Sequence, residues 1–284
     1  MLDLPDRTDL TNPRAERVRR VRALAGRPAR LRHGQFLVEG PQGVREAVAY
    51  AADAVRDLYV GPDAARRYAD VVERALARGV RVHTGSAEVL DTMSADAQQL
   101  LAVVRTRTTG LEDVLGEPPP RLVAVLAQVR DPGNAGAVIR TADAAGADAV
   151  VLSDASVDHH NPKVVRATAG SLFHVPVVAD VPVAETVGRL RAAGLTVLAA
   201  DGAGDRDLDD LLDAAGRGTA PDLSGPTAWV FGNEARGLGD DVRELADAVV
   251  RVPVHGRAES LNLATAAAVC LYASARAQRR SGER

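Results

Sequence analysis

The feature that most restricts the fold of this chain is the alternation of apolar runs with amphipathic segments after residue 121. Near-continuous Val, Leu and Ala runs are typical of parallel strands that helices cover on both faces. The pattern therefore predicts an α/β fold whose ligands bind at the carboxyl ends of the strands. The predicted strands are 122–127, 149–152, 175–178, 196–200, 228–231 and 248–252, and the predicted helices are about 135–145, 162–172, 183–193, 240–246 and 261–278.

Shorter alternating elements precede this region and indicate a second, smaller α/β domain. A basic helix is predicted within 14–32, ending near Gly26 to Pro28, and short strands are predicted over 35–39 and 100–105. Residues 106–120 combine Thr, Gly and three consecutive prolines, which favours an extended linker. The predicted division is a domain at 1–105, a linker at 106–120 and a domain at 121–284.

Charge is distributed unevenly along the chain. The 35 Lys and Arg against 38 Asp and Glu leave a net charge of −3, which argues against non-specific coating of nucleic acid. Residues 1–32, however, hold nine arginines and four acidic residues. This segment is a candidate contact for a polyanion, and a merely solvated helix is the alternative.

Several chemistries lack their sequence signature. The single cysteine, Cys270, lies in an apolar run, which predicts burial and excludes an internal disulfide or a Cys-built metal site. Phosphate-binding GxxxxGK[ST], nucleophilic GxSxG and zinc-binding HExxH motifs are missing. Asp158 with His159 and His160 is interpreted as a polar loop, and 202–204 as a plain turn. With no long apolar run, we expect a soluble, cytoplasmic protein without metal.

Three polar segments follow predicted strands, at 131–136, 230–239 and 252–263. In the first, Asn134 suits a helix N-cap, and Arg140 follows within two turns. In the second, three glycines allow the backbone to approach a ligand closely. In the third, Ser260 is an N-cap type and Asn262 falls in the first turn of the last helix. The structural alternative is a capped helix with a solvated Arg140 for the first segment and a structural loop for the second.

These segments together resemble the SpoU branch of the SPOUT RNA methyltransferases. The resemblance rests on NxGxxxRT at 134–141, VFGNEARGL at 230–238 and VPVHGRAESLNLA at 252–264, with NPKVVRATAGSLFHVPV at 161–177 between them. FLVEGPQGVREA at 36–47 and LLAVVR at 100–105 are similar to the family's ribosomal-protein-like substrate-binding domain, although Gln99 stands where that pattern has glycine.

The resemblance implies a C-terminal SPOUT domain with a deep trefoil knot, beside a smaller N-terminal RNA-binding domain. It implies that S-adenosylmethionine lies bent in the knot against the backbone of Gly232, Val252 and Leu261. It also implies a homodimer in which Arg140 of one subunit approaches the cofactor of the other. The catalytic set that it implies is Asn134, Arg140, Glu234, Ser260 and Asn262, with no metal.

The implied reaction is methylation of a ribose 2′-hydroxyl in RNA, with 23S ribosomal RNA as the leading substrate. Transfer RNA is the near alternative. A non-catalytic RNA-binding or ribosome assembly factor on the same fold is the alternative from a different class. The resemblance implies that Arg140 assists deprotonation of the hydroxyl. Because a guanidinium stays protonated, it is a poor base. A role in orienting the hydroxyl and a neighbouring phosphate is physically easier than a role as the base.

Overall fold

The computed structural model describes residues 9–233 and 236–282. The chain folds as two compact units, a first unit of Met1–Arg107 with His160–His174 and a second unit of Thr108–His159 with Val175–Arg284. The segment 160–174 therefore packs with the first unit, although the sequence division at 121 places it in the C-terminal domain. Among the described residues, no helix combines the length and the apolar character needed to cross a bilayer.

The first unit is a four-stranded mixed sheet with helices on both faces. Its strand order is β1-β4-β2-β3, and the β2–β3 pair alone is parallel. The elements are α1 (Glu16–Ala23), α2 (Arg27–His33), β1 (Gln35–Glu39), α3 (Pro41–Tyr50), β2 (Val55–Val60), α4 (Pro62–Arg67), α5 (Ala69–Ala77), β3 (Arg81–Thr84), α6 (Ala87–Met93) and β4 (Leu100–Arg105).

The two faces of this sheet form separate apolar cores. Successive side chains of a strand point to opposite faces. Accordingly, Phe36 and Val38 belong to the core under α3 and α5, while Leu37 belongs to the core under α1 and α6. Val165, from the segment 160–174, is 2% exposed and joins the Phe36 core.

The basic helix predicted within 14–32, with an end near Gly26 to Pro28, is shorter in the structure and is followed by a second helix. The structure has two helices, α1 and α2, which are separated at 24–26. Arg30 is only 4% exposed, and its guanidinium donates to the carbonyl oxygens of Leu24 and Ala25 at 3.0 and 2.7 Å. At least this arginine therefore stabilises the end of α1 instead of presenting its charge to a polyanion.

Gln99, which stands where the family pattern has glycine, occupies a left-handed backbone conformation. Gln98 and Gln99 both adopt left-handed conformations, with φ of 52° and 62°. Glycine adopts this conformation without a steric penalty, which explains why glycine suits this position. The Gln99 side chain offsets part of this cost, because its Nε2 donates to Asp91 Oδ1 at 2.6 Å.

The second unit contains a seven-stranded, fully parallel sheet of order β7-β6-β5-β10-β8-β11-β9, as the apolar runs predicted. All residues of β5, β6 and β10 are buried. The elements, with α9 belonging to the first unit, are α7 (Leu111–Val114), β5 (Leu122–Leu126), α8 (Pro132–Ala145), β6 (Ala149–Ser153), α9 (Pro162–Ala167), β7 (Val177–Val181), α10 (Val183–Ala192), β8 (Thr196–Ala200), β9 (Arg206–Asp207), α11 (Leu208–Ala214), β10 (Thr227–Phe231), α12 (Asp240–Leu245), β11 (Ala248–Arg251) and α13 (Leu263–Gly282).

Two segments of this unit depart from the sequence expectation. The linker is not wholly extended, because α7 lies inside it and Leu111 is buried in the core of the second unit. The acidic stretch after β8 forms the unpredicted α11. Its N-terminus is capped by Asp207, whose carboxylate accepts from the Asp209 N–H at 3.0 Å.

The last helix, α13, is held against the sheet and α8 by buried and bridging groups. The indole N–H of Trp229 donates to Ser274 Oγ at 2.9 Å, and both side chains are fully buried. Cys270 is buried as predicted, and burial raises the pKa of its thiol to about 12. Tyr272 Oη donates to the Ala144 carbonyl at 3.3 Å. The trefoil knot stays a prediction.

Candidate active site

One cavity of the second unit lies at the carboxyl ends of three adjacent strands, β10, β8 and β11. Its volume is about 630 Å3, within the ~300–1,000 Å3 typical of small-molecule sites. Its walls come from 200–202, 231–233 and 250–254, which follow the three strands, and from 259–261 ahead of α13. The segments around 232 and 252 therefore meet in one place. Gly232, Val252 and Leu261, the three expected cofactor-binding residues, all line this cavity.

The glycine-rich loop after β10 folds back on itself. The N–H of Gly237 donates to the Asn233 carbonyl at 2.8 Å, and the Asn233 N–H donates to the Gly237 carbonyl at 3.1 Å. A Cβ on Gly232 would lie 2.4 Å from the carbonyl carbon of Gly237. Glycine is thus required at 232 because the loop's own backbone packs against it. The sequence pattern had instead suggested that glycine allows close approach of a ligand. Glu234 lies outside the described residues.

The predicted helix caps Asn134 and Ser260 lie three and two residues away from the observed caps. At α8 the cap is Asp131, whose carboxylate accepts from the Asn134 N–H at 2.7 Å, so Asn134 lies inside the helix. At α13 the cap is Asn262, whose Oδ1 accepts from the N–H groups of Ala264 and Thr265 at 2.9 and 3.3 Å. Ser260 lies in the preceding loop and lines the cavity.

The first and third polar segments meet through a side-chain hydrogen bond. Asn262 Nδ2 donates to Asn134 Oδ1 at 3.0 Å, across 128 positions of sequence. Because Asn262 Oδ1 is occupied as the helix cap, its amide nitrogen is the group that faces Asn134. The pair lies next to the cavity, since Leu261 and Leu263 on either side of Asn262 both line it.

Arg140 is not among the residues that line this cavity. It is exposed on α8, six residues beyond Asn134. Six residues of α-helix correspond to about 9 Å along the axis and to a different face. Within one chain, α8 therefore presents Asn134 to the Asn262 side and Arg140 to solvent.

Comparison with known proteins identifies the family of the chain. Residues 121–272 match the SpoU rRNA Methylase family, and residues 15–102 match the MRM3-like substrate binding domain. The chain belongs to the SpoU rRNA methylase family. The resemblance drawn from the sequence motifs is thereby confirmed.

Three relatives illustrate the similarity. The chain is 32% identical, over 84% of its length and 96% of the relative, to the 23S rRNA (guanosine-2′-O-)-methyltransferase RlmB of Bordetella pertussis. It is 34% identical, over 90% of its length and 95% of the relative, to the 23S rRNA (guanosine(2553)-2′-O)-methyltransferase RlmP of Bacillus subtilis. The crystal structure of the SpoU methyltransferase AviRb from Streptomyces viridochromogenes with the cofactor AdoMet has a TM-score of 0.77 and 34% identity, covering 94% of this chain and 99% of AviRb.

Two carboxylates of the cavity in this SpoU chain were not predicted from the sequence. Asp201 directly follows β8, and its Oδ1 accepts from the Ala203 N–H at 2.9 Å while Oδ2 lies 3.5 Å from Arg243 Nη1. Glu259 comes from the loop before α13. The position of Asp201 immediately after an apolar strand was an available signal.

The turn at 202–204, which the sequence marked as a plain turn, also contributes to the cavity. The Gly204 N–H donates to the Asp201 carbonyl at 3.0 Å, so the segment is a turn as expected. Gly202 nevertheless lines the cavity. A Cβ on Gly204 would lie 2.8 Å from the Arg251 nitrogen, so glycine lets this turn pack against β11.

Proposed function

We propose that this protein transfers a methyl group from S-adenosylmethionine to a ribose 2′-hydroxyl of 23S ribosomal RNA. The observation that carries the proposal is the cavity at the ends of β8, β10 and β11, which is built from the segments that match the SpoU family. The similarity to RlmB and RlmP, both 23S rRNA methyltransferases by name, supports 23S rRNA as the substrate class.

The cavity suits S-adenosylmethionine by its chemistry. Phe231, Val252 and Leu261 supply apolar walls, and Glu259 supplies a carboxylate that complements a sulfonium or an amino group. Asp201 and Arg251 also line the cavity, and the Asp201 carboxylate is partly neutralised by Arg243. Backbone groups at Gly232, Val252 and Leu261 would hold the cofactor. When bound, S-adenosylmethionine supplies a methyl group activated by the positive charge on sulfur.

Arg140 orients the RNA in this proposal. A ribose hydroxyl is a poor nucleophile near neutral pH, and in this proposal its proton passes to solvent as the oxygen attacks. The guanidinium stays protonated, so its planar fork is suited to binding the hydroxyl oxygen and an adjacent phosphate. Glu234, Ser260 and Asn262 position the RNA and the Arg140 of the second copy, and Asn134 supports the substrate.

A complete site requires a homodimer in this proposal. Arg140 is exposed on α8 and is not part of the cavity wall of its own chain. A second copy would bring its Arg140 to this cavity, so that each of the two sites combines both subunits. The exposed Val269 and Tyr272 of α13, 41% and 50% exposed, provide apolar surface for such a contact.

The test is methyl transfer by the purified protein from radiolabelled S-adenosylmethionine to an unmodified 23S rRNA transcript, with mapping of 2′-O-methyl positions. We expect incorporation at a defined ribose and a dimer in sedimentation analysis. Transfer RNA is the parallel substrate, and preferential labelling of it would refute the ribosomal assignment. RNA binding without any methyl transfer, despite cofactor binding, would instead favour the non-catalytic assembly factor.

A further inference from the structure

The first unit contains a pocket that the candidate active site does not use. It lies between α1 and the strands β2 and β3, and its volume is about 140 Å3. Four arginines, Arg17, Arg20, Arg56 and Arg81, line it around one carboxylate, Asp57. We call it the arginine pocket.

Asp57 organises the arginines of this pocket. Its carboxylate lies 3.3 Å from Arg56 Nε and 3.4 Å from Arg81 Nε, and the register of β2 and β3 pairs Asp57 with Arg81. Burial by itself would raise the pKa of Asp57, but a hydrogen bond from His83 and the nearby arginines hold it below its usual range. Asp57 therefore remains charged at neutral pH.

His83 links the helix to this arrangement. Its Nε2 lies 3.0 Å from Asp57 Oδ1, and Arg17 Nη1 lies 3.3 Å from its Nδ1. Because Arg17 donates to Nδ1, the ring hydrogen is on Nε2 and points to Asp57. Arg17 on α1 is thus connected to the two strand arginines through one imidazole and one carboxylate.

The pocket carries more positive charge than its own carboxylate can neutralise. Asp57 is mostly buried, with 13% of its side chain exposed, whereas the side chains of Arg20 and Arg81 are 63% and 61% exposed. Glu16 lies 3.7 Å from Arg20, but it is 75% exposed and contributes little in water. An external anion is the group that would balance this surplus.

We propose that the arginine pocket binds a phosphate group of the substrate RNA. Arginine is well suited to phosphate, because its planar fork matches the phosphate oxygens and always carries charge. The pocket is smaller than the ~300–1,000 Å3 of ordinary ligand sites, which favours one phosphate over a whole nucleotide. Tyr59 cannot act as a stacking platform, since it is 2% exposed and its ring already stacks on His83.

This inference rests on the proposed function, because it assigns part of the RNA contact to the first unit. The double variant Arg17→Gln/Arg20→Gln removes charge from exposed side chains and should keep the fold. Arg56→Gln/Arg81→Gln also removes ion-pair partners of the mostly buried Asp57, so it is used only if its melting temperature is near that of wild type. Arg66→Gln/Arg74→Gln is the matched control, since it removes two exposed arginines of the same unit outside the pocket. Thermal melts and calorimetric titration with S-adenosylmethionine verify folding of all three.

The measurement is filter binding of an unmodified 23S rRNA transcript over a series of salt concentrations. Each pocket variant should bind about 10-fold more weakly, as expected for a lost charged hydrogen bond. The slope of log Kd against log salt should fall by about 1, the value for one phosphate contact. The control should match wild type in both quantities.

Failure of this inference is separable from failure of the proposed function. If wild type methylates the transcript but the pocket variants keep its Kd and salt slope, the phosphate site is wrong and the function stands. If wild type methylates no RNA yet the pocket variants lose RNA affinity as described, the phosphate site stands and the function is wrong.

Discussion

At the scale of single residues, substitution of Arg140 distinguishes an effect on catalysis from an effect on cofactor binding. Arg140→Ala should lower methyl transfer by about 100-fold, the low end of what a positioned group contributes, because the ribose hydroxyl loses its orienting partner. Cofactor affinity and dimer mass should stay at the wild-type values, because in this proposal Arg140 contacts the RNA and does not hold the cofactor. Turnover on 23S rRNA and calorimetry with S-adenosylmethionine measure the two effects.

Two further variants make the Arg140 prediction sharper. Arg140→Lys keeps the charge but loses the bidentate fork, so it should not restore turnover. Arg217→Ala removes another exposed arginine of the second unit and should leave turnover unchanged. Near-normal activity of Arg140→Ala would refute the orienting role and direct attention to Glu234.

Asn262 has two functions in the structure that substitution can separate. Asn262→Asp keeps an oxygen to cap α13 but lacks the amide donor to Asn134. We expect its stability to remain near wild type and its turnover to fall. Asn262→Ala loses both contacts and should also cost about 1 kcal/mol of stability, the usual value of an N-cap.

Chemical denaturation and single-turnover methyl transfer test the Asn262 prediction. The informative comparison is between the two variants in each assay. Equal turnover of Asn262→Asp and wild type would mean that the Asn134–Asn262 hydrogen bond does not position the site.

At the scale of elements, the glycines of α10 and of the turn after it form a matched pair. Gly188 lies inside α10, exposed, and a Cβ there would meet nothing within 4 Å. Gly194 has equally open surroundings, but its φ is +87°. Gly188→Ala should therefore stabilise the protein by up to about 1 kcal/mol, through better helix propensity.

Gly194→Ala should have the opposite sign. An L residue in the left-handed region costs roughly 1–2 kcal/mol, and no new contact compensates for it. Urea denaturation of both variants measures the difference. If both substitutions changed the free energy of unfolding equally and in the same direction, the space around the added Cβ, and not the backbone conformation, would determine their effect on stability.

The elements also show which of their bounds can be predicted from sequence periodicity. The strands β1, β4 and β8 have the predicted bounds, because apolar runs flanked by turn residues mark strand ends clearly. Helix starts were less predictable: Asp131 and Asn134 are both good caps, and only the hydrogen bond from the Asn134 N–H to Asp131 shows which one acts. The helix α11 was not predicted, because its many acidic residues indicated a polar loop and its two buried residues, Leu208 and Leu211, did not stand out as an apolar face.

At the scale of the whole molecule, the segment 160–174 determines whether the catalytic half can stand alone. In sequence it lies between β6 and β7, yet Val165 is buried in the core of the first unit. Phe173 packs against the same core, 6.5 Å from Phe36 between ring centroids, and Arg166 pairs with Glu39. A fragment 108–284 would leave these groups without their partners.

We therefore expect fragment 108–284 to expose apolar surface and to associate non-specifically. Fully burying a Val, Leu or Phe side chain is worth about 1.5–3 kcal/mol. This fragment forgoes that gain at the buried Val165 and part of it at the half-buried Leu172 and Phe173. Dye binding to exposed apolar surface and size-exclusion chromatography are the measurements. The control is the same fragment with Val165, Leu172 and Phe173 replaced by Ser, Gln and Gln, which should bind less dye.

A monodisperse fragment 108–284 with no excess dye binding would contradict this expectation. In that case the segment 160–174 would be able to fold without the first unit. The predicted boundary at 121 would then describe an independent domain.

The sequence by itself determined the parallel α/β class, the main strands of the second unit and the family, because these follow from local periodicity and from motifs contiguous in the chain. The tertiary structure alone decided which distant groups meet. The Asn134–Asn262 hydrogen bond, the cavity shared by 232, 252 and 261, and the docking of 160–174 on the first sheet all join positions far apart in sequence. Side-chain periodicity records only which face of an element is buried and carries no information about its partner, so these contacts depend on the packed fold.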